Sequence, residues 1–168
     1  AARQPRAVGH LVEGPGSNDS LRQAWAHRHE RGGLARERAI PVGFGRSLRI
    51  KSCSGSAAYF SFGELCGERP GETRLGASDY LALADHLSEI YLADLPILTR
   101  SRRNEARRFV MLVDALYEAR SVTLHLAAPS ALQQLMAPLL EATADAAEAI
   151  DGAEVAVDDA GPVAPNFQ

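Results

Sequence analysis

Four arginines lie within seven residues at the start of the stretch RRNEARRFVMLVDALYEAR, residues 102–120. A guanidinium group makes planar, two-point contacts with carboxylates and phosphates, so this cluster is a candidate for handling a nucleotide. At about 100° per residue, the same stretch places Phe109, Leu112 and Leu116 on one side of a helix. The arginines are therefore either parts of a site or the solvated beginning of a packed helix.

Two arginines of this stretch, Arg107 and Arg108, are the candidates for a catalytic role. Arg107 falls on the polar stripe of the predicted helix, whereas Arg108 falls near the border of the apolar face, from which it can reach a neighbouring element. The expected partner of Arg108 is either a carboxylate of this chain, such as Asp79 or Asp94, or a nucleotide phosphate of a partner domain.

Asp94 is the third candidate. It follows an apolar run in IYLADLPIL, residues 90–98, as does the strand-end acid that orients Mg²⁺ in nucleotide hydrolases. The alternative is that Asp94 and Pro96 only end a buried strand in a turn, where Asp hydrogen-bonds to the local backbone. A stand-alone enzyme that uses Asp94 and Arg108 would need both side chains in one cleft at the strand ends.

A phosphate-binding loop of the form G-x-x-x-x-G-K-S/T would complete such a site, because its backbone amides and its lysine hold the phosphates. Lys51 is the chain's single lysine and therefore the single candidate. In GRSLRIKS, residues 45–52, Ile50 stands where the second glycine is required, and the alternating pattern predicts a strand. GPGS, residues 14–17, has no lysine and no predicted strand before it. We therefore expect no cofactor site in this chain.

The cysteines and histidines form no recognisable site. Cys53 and Cys66 lie thirteen positions apart without a second pair of ligands, which argues against zinc, and we expect no metal and two reduced thiols. The five histidines do not stand at the spacing of a nucleophile, base and acid.

Length and charge exclude several classes of protein. A chain of 168 residues predicts one domain, and a pI near 6.0 argues against nucleic-acid binding. Residues 121–168 carry seven acids and no Lys or Arg, which indicates either a solvated face or an interaction tail. No apolar run approaches the roughly 20 residues of a membrane span, while peripheral membrane association and an oligomer stay open. Since the first residue is Ala1 rather than Met, we expect a piece of a longer protein.

The elements that must position these residues alternate in type. Residues 1–39 are predicted to be irregular, apart from a short helix at DSLRQAWAHRH capped by Asp19 or Ser20. RSLRIKS and AAYFSF predict a hairpin. After it, ASDYLALADHLS predicts a helix capped by Ser78 or Asp79, EIYLADLPIL a buried strand and SVTLHLAA another.

The fold class follows from that alternation. We predict an α/β fold, with a mostly parallel sheet that carries helices on its faces, preceded by a short β-hairpin and an irregular N-terminal segment. The α/β module is expected over residues 40–157. It ends with a helix interrupted at Pro138 and a weak strand, AEVAV, and a flexible acidic tail follows over residues 158–168.

Four segments in this order resemble one protein family: FSFGELCG, GASDYLALADHLSEIYLADLPIL, RNEARRFVMLVDALYEAR and VTLHLAA. They resemble the C-terminal region of the ZapE-type ATPases of bacterial cell division and of their mitochondrial relatives, the lactation-elevated, AFG-like ATPases. VGFGRSLRI is similar to the glycine–arginine strand of that family, and the resemblance covers about residues 40–128. The residues that match the family's motifs are Asp79, Tyr80, Pro96, Arg107, Arg108, Phe109, Asp114 and Tyr117.

The resemblance implies a part of an ATPase. Members of this family are P-loop ATPases of the AAA+ class, linked to division-ring remodelling in bacteria and to protein quality control in mitochondria. Their phosphate loop and Mg²⁺ acid precede the matched region, so ATP and Mg²⁺ are expected only in the full-length family. The expected function is that of a C-terminal module of an ATP-driven remodelling or turnover machine, unable to hydrolyse ATP alone. The alternative is a non-catalytic interaction or assembly subunit derived from the family.

The expected partner is the ATPase core missing from this chain, or another protein. The resemblance implies the mitochondrial matrix for a eukaryotic chain and the cytoplasm for a bacterial one. Two departures from the family pattern suggest a fragment, a divergent gene model or a degenerate paralogue. The loop GERPGETRLGASDY is longer, and an acidic segment replaces the family's terminal segment after Ala128.

Overall fold

A six-stranded sheet with helices on both faces forms the protein in the computed structural model, which describes residues 9–30, 36–68, 73–119 and 121–139. The strands are β1 (Gly9–Glu13), β2 (Arg36–Val42), β3 (Arg46–Ser54), β4 (Ala57–Ser61), β5 (Glu89–Ala93) and β6 (Thr123–Ala128). The helices are α1 (Ser17–Trp25), α2 (Phe62–Leu65), α3 (Ala77–His86), α4 (Arg103–Ala119) and α5 (residues 132–139). A π-type turn, Ala26–Glu30, continues α1, and a 3₁₀ turn, Arg100–Arg102, precedes α4.

The sheet combines a parallel part with an antiparallel edge. Its strand order is β1-β6-β5-β4-β3-β2, in which β1, β6, β5 and β4 run parallel. The strands β3 and β2 are antiparallel to their neighbours. The predicted α/β class, its mostly parallel sheet and its hairpin are therefore confirmed.

The parallel strands β4, β5 and β6 send alternate side chains to two separate apolar layers, as the period of a strand requires. From β5, Ile90 and Leu92 enter the larger core under α3, α4 and α5, whereas Tyr91 and Ala93 enter a smaller one. The smaller core is completed by Leu21 and Trp25 of α1. Helix α1 thus covers one face of the sheet, and the other described α-helices cover the opposite face.

Two strands correct the sequence interpretation. Residues 9–13 and 36–39 belong to the segment predicted to be irregular, but they form β1 and the first part of β2 at the two edges of the sheet. Edge strands bury little, so their pattern is weak: no residue of β1 is fully buried, and β2 buries only Ile40 and Val42. Pro41 is tolerated because an edge strand has a row of amides without ladder partners. The GPGS turn therefore does follow a strand.

The helix starts were also misplaced. The residue that caps α1 is Gly16 rather than Asp19 or Ser20, and Gly76 rather than Ser78 or Asp79 caps α3. Residues 132–139 are helical through Pro138, so the interruption predicted there is absent up to residue 139. The predicted strand AEVAV and the acidic tail lie outside the described residues. Within the described ranges, no helix is long and apolar enough to cross a bilayer.

Candidate functional site

Asp79, one of the residues expected to match the family's motifs, is a buried carboxylate that joins three segments. Only 1% of its surface is exposed. Arg46 at the start of β3 donates from Nη2 to both carboxylate oxygens, at 2.6 and 2.7 Å. The amide of Gly43 donates to Oδ1 at 3.1 Å, and the amide of Gly76 donates to Oδ2 at 2.9 Å. Burial of a charge is costly unless it is paired and hydrogen-bonded, so these contacts fix β3, the β2–β3 turn and the start of α3 together.

The β2–β3 turn, Gly43–Gly45, can approach Asp79 because it begins with glycine. A Cβ atom at Gly43 would lie 2.6 Å from Ser78 Oγ and 3.2 Å from Asp79 Oδ1. Arg46 Nε also donates to the carbonyl of Gly43 at 3.1 Å, which secures the turn from its other end. A larger residue at position 43 would therefore require the Ser78 side chain to move and would crowd the Asp79 carboxylate.

Tyr80 and Cys66 lie next to this junction and are deeply buried. The Tyr80 hydroxyl donates to the carbonyl of Leu65 at 2.9 Å. Burial, followed by the neighbouring Cys66, raises the pKa of Tyr80 well above its usual value. Burial also raises the pKa of the Cys66 thiol to about 12. Because a nucleophilic cysteine must ionise near neutral pH, Cys66 is not suited to act as a nucleophile.

Arg108 makes structural contacts at the end of α2. It is 7% exposed, and its Nε donates to the Cys66 carbonyl at 2.6 Å while Nη2 donates to Glu68 Oε1 at 2.9 Å. Glu68 also pairs with Arg74 at 2.6 Å. The hydrogen bond from Arg108, above all, lowers the pKa of Glu68. Arg108 therefore reaches across to a neighbouring element, as predicted, but it pairs with Glu68 rather than with Asp79 or Asp94.

The remaining candidate residues are spread over the surface and the core. Arg107, Asp114 and Tyr117 are exposed on α4, while Phe109 is buried, with its ring centroid 5.8 Å from that of Phe62. Pro96 is half-buried in the loop after β5. Their placement does not form one cleft with Asp79 and Arg108.

Asp94 ends β5 on the side of the sheet that α1 covers. Asn18 of α1 donates from Nδ2 to Asp94 Oδ1 at 2.9 Å, and the Asp94 amide donates to Asn18 Oδ1 at 2.9 Å. The backbone of Asp94 has a φ of 60°, in the left-handed region that Asp and Asn enter more readily than most residues. Asp94 thus follows the end of a buried strand, but its carboxylate bonds to Asn18 of α1 rather than to the local backbone.

The structure separates Asp94 from Arg108. Asp94 contacts α1, which packs on the smaller core, whereas Arg108 belongs to α4, which packs on the larger one. The guanidinium of Arg108 is buried against Cys66 and Glu68. A stand-alone enzyme that uses both side chains in one cleft is therefore not supported.

Lys51 lies inside β3, as its alternating pattern predicted. Its Nζ is 3.0 Å from Glu64 Oε1. Burial opposes ionisation of Glu64, but hydrogen bonds from Ser61 and the Lys51 charge hold the pKa of this carboxyl below its usual value. The lysine is thus part of a surface ion pair on a strand and is not in a phosphate-binding loop.

The glycine turn between β1 and α1 has the backbone order of a phosphate site, strand then turn then helix. Its Gly14 amide donates to the Ala128 carbonyl at the end of β6, at 2.9 Å, and Asn18 contacts Asp94 at the end of β5. The parallel strands therefore end around this turn, where open α/β sheets place their ligands. The turn has no lysine, and the nearby carboxylate of Asp94 is already paired with the side-chain amide of Asn18.

A polar cluster beneath α1 was missed by the sequence analysis. Glu89 Oε2 accepts a hydrogen bond from the Tyr91 hydroxyl at 3.1 Å and lies 3.3 Å from His125 Nε2 and 3.7 Å from His29 Nε2. The rings of Tyr91 and His125 stack with centroids 4.2 Å apart. Arg28 Nη2 lies 3.6 Å from Glu89 Oε1. The one sequence signal that could have indicated this cluster was the alternation of polar and apolar residues in β5 and β6.

Burial opposes the protonation of the two histidines of this cluster. Burial lowers the pKa of His29 and of His125, although the charge of Glu89 acts in the opposite direction. His125 Nε2 is buried and makes no aligned hydrogen bond with the described residues. The ranges that the structure describes contain no group of three His, Cys, Asp or Glu side chains arranged to hold a metal ion.

Comparison with known proteins places these residues in a family. The profile of the AFG1-like ATPase family matches residues 4–143. An uncharacterized protein of Schizosaccharomyces pombe is 36% identical over 75 residues, which are 45% of this chain and 15% of the relative. The lactation elevated protein 1 homolog B of Danio rerio is 36% identical over 74 residues, 44% of this chain and 14% of the relative.

A bacterial protein matches to the same extent. The cell division protein ZapE of Escherichia coli is 37% identical over 73 residues, which are 44% of this chain and 18% of ZapE. The aligned part thus spans less than a fifth of each of these three relatives. No solved structure matches the chain.

The adjacent arginines provide a matched pair for testing whether Arg108 is structural. We expect Arg108→Ala to lower the free energy of unfolding by about 2 kcal/mol, because it leaves the buried Cys66 carbonyl without a donor. Arg107→Ala, on the exposed face, should change it by less than about 0.5 kcal/mol. Urea unfolding of both variants measures the difference. Equal losses in the two variants would contradict this assignment.

The buried histidines predict that stability falls in mild acid. The unfolded chain takes up protons at these imidazoles as the pH falls through about 6.5, whereas the folded protein resists until a lower pH. Each histidine can therefore reduce the free energy of unfolding by at most about 1.4 kcal/mol per pH unit below pH 6.5. Urea unfolding at a series of pH values between 5 and 8, at constant ionic strength, measures the slope of the free energy of unfolding against pH for the parent and for His125→Phe.

His125→Phe should flatten the slope, since Phe can retain the stacking on Tyr91 without titrating. His27→Gln, an exposed change on the turn that also carries His29, is the control and should show the same slope as the parent. A slope that is the same in all three proteins would show that the buried histidines do not cause it.

Proposed function

The chain belongs to the AFG1-like ATPase family, and on that premise we propose that it is the C-terminal module of an ATP-driven machine for protein remodelling or turnover, which does not hydrolyse ATP by itself. One observation carries the proposal. Two of the side chains expected to match the family's motifs are occupied by contacts within the chain: Asp79 with Arg46, and Arg108 with Cys66 and Glu68. Groups that are already satisfied in this way support a structural role.

Two segments of the chain are candidates for binding a phosphate, and the contacts at both support the proposal that the chain does not hydrolyse ATP alone. Lys51, the chain's single lysine, is in a strand and pairs with Glu64. The turn at residues 14–17 has no lysine for the outer phosphates, and Asp94 beside it is paired with Asn18. We therefore propose that ATP and Mg²⁺ bind to an ATPase core, which in the relatives lies outside the part aligned with this chain.

The substrate and compartment are further proposals. One relative is named a cell division protein and another a lactation elevated protein, and the relatives come from bacteria and eukaryotes. For this chain we propose protein remodelling in cell division or protein quality control, in the bacterial cytoplasm or in the mitochondrial matrix.

A second candidate function is a non-catalytic interaction or assembly subunit derived from the family. It is favoured by two apolar features of the described surface, the exposed side chain of Phe44 and a groove beside α4. A G-x-x-x-x-G-K-S/T segment upstream in the same gene would favour the ATPase module, whereas its absence from the gene would favour this subunit.

The proposal predicts no ATPase activity in the isolated chain. With ATP and Mg²⁺, phosphate release should equal the buffer background, and a fluorescent ATP analogue should show no saturable binding, because no lysine-containing loop is available for the phosphates. Lys51→Ala should behave as the parent does. A phosphate-release rate above background that Lys51→Ala abolishes, or ATP that binds with Mg²⁺ in a defined ratio, would overturn the proposal.

A further inference from the structure

Strand β1 leaves one edge of the sheet open. Among the described residues it pairs with β6 alone, in a regular parallel ladder over its five residues. The Gly14 amide continues that ladder by donating to the Ala128 carbonyl at 2.9 Å. Because the backbone groups of successive residues face opposite sides of a strand, those of Gly9, Leu11 and Glu13 face away from β6. They can therefore pair with a further strand.

The opposite edge of the sheet is protected against such pairing, whereas this edge is not. Edge strands are commonly protected by proline, by charged side chains or by a bulge. Strand β2 has Pro41, a register shift between Arg36 and Arg38, and the charges of these arginines and of Glu37. Strand β1 contains no proline, lysine or arginine, and its register with β6 is unbroken. An edge of this kind is a template for strand addition.

An apolar groove lies beside the open edge. It encloses about 460 Å³ between β1, β6, α4 and α5, and its lining includes Gly9, Leu11, Val110, Val113 and Leu132. Leu11 and Val110 are 42% and 46% exposed. Paired residues of neighbouring strands direct their side chains to the same face of a sheet. The residue of an added strand that lies beside Leu11 therefore directs its side chain to the face that carries the groove.

The charges at this edge favour a basic segment. The residues that line the groove include one acid, Asp114, and no Lys or Arg. Glu13 ends β1, and its carboxylate accepts the Leu132 amide at 2.9 Å, a contact that does not neutralise its charge. Strands β1 and β6 and residues 132–139 contain no Lys or Arg. A Lys or Arg on an added strand beside Glu13 would form a cross-strand pair of opposite charges.

We propose that an extended segment of another protein adds to the open edge of β1 as a seventh strand. The alternation in β1 sets the side chains that this segment carries: an apolar one beside Gly9, a second beside Leu11, and Lys or Arg beside Glu13. The order is apolar, any, apolar, any, basic for a parallel strand, and the reverse for an antiparallel one. In strand addition the backbone supplies affinity and the alternate side chains supply specificity. The inference does not depend on the proposed ATPase role.

Fluorescence anisotropy of a labelled synthetic peptide with the full chain tests the proposal. In this peptide two leucines alternate with threonines, and a lysine stands two positions outside each leucine, so that either strand direction presents the pattern. Binding should be saturable, with a dissociation constant on the order of 100 μM, because a short strand offers few backbone hydrogen bonds. A peptide of the same composition with adjacent leucines should bind at least about fivefold more weakly, since one leucine then faces away from the groove.

A substitution at Leu11 tests the pairing of the backbone. Leu11→Pro removes an amide that faces outward but keeps the ladder to β6, which uses His10 and Val12, so it should weaken peptide binding at least about fivefold. Leu11→Val is the control, because it keeps both the amide and an apolar side chain, and it should bind within about twofold of the parent. Thermal unfolding of both variants shows whether they keep the fold.

A substitution at Glu13 tests the charge. Glu13→Gln keeps an oxygen that can accept the Leu132 amide but removes the negative charge. It should weaken binding of the lysine peptide about threefold at low salt, and by less at high salt. Glu118→Gln, an exposed change on α4 outside the groove lining, is the control and should bind as the parent does.

Several outcomes would overturn the proposal. One is a parent that shows no saturable binding, and another is equal binding by Leu11→Pro and Leu11→Val when both are folded. The double change Val155→Asp with Val157→Asp, in the sequence AEVAV, should bind the peptide as the parent does. Binding that appears only in this double variant would assign the edge to residues 153–157 of the same chain. Peptide binding that disappears as the concentration of the chain rises would assign the edge to a second copy.

Discussion

The buried carboxylate of Asp79 is the interaction on which the arrangement of this half of the protein depends. A charge with 1% exposure is stable only if donors surround it, and here the donors come from three separate segments: the β2–β3 turn, the start of β3 and the loop before α3. The carboxylate therefore fixes the edge hairpin against a helix that packs on the larger core. The same contacts hold the backbone on both sides of Phe44, so a conformation that is unfavourable in isolation persists.

The two faces of the sheet explain why the candidate residues do not form one site. Successive residues of β5 point in opposite directions, and the elements beyond them are different: α1 on one face and α3, α4 and α5 on the other. Asp94 contacts α1, whereas Arg108 contacts the end of α2 from within the larger core. Two residues that lie only fourteen positions apart in the chain are thereby directed to separate layers.

The sequence predicted those parts of the fold whose burial is strong. Strands β5 and β6 are apolar and central, and α4 carries a regular apolar stripe, so their pattern was clear. The edge strands β1 and β2 were not predictable, because an edge strand buries few side chains and tolerates Pro41. Arg108 was correctly expected to reach a neighbouring element, but its partner, Glu68, depends on how the segment after α2 packs. The Glu89 cluster was missed because His29 and His125 are brought together only when α1 covers the sheet.

The internal satisfaction of polar groups also limits what this chain can offer to other molecules. At the carboxyl edge of the parallel strands, the glycine turn is bonded to the end of β6, and Asp94 is paired with Asn18, so the place where an α/β sheet would hold a ligand is occupied by the chain's own contacts. The motif residues Asp79, Tyr80 and Arg108 are likewise bonded to neighbouring segments. Two apolar features of the described surface stay outside these contacts: the Phe44 ring at one edge of the sheet and the groove beside α4 at the other.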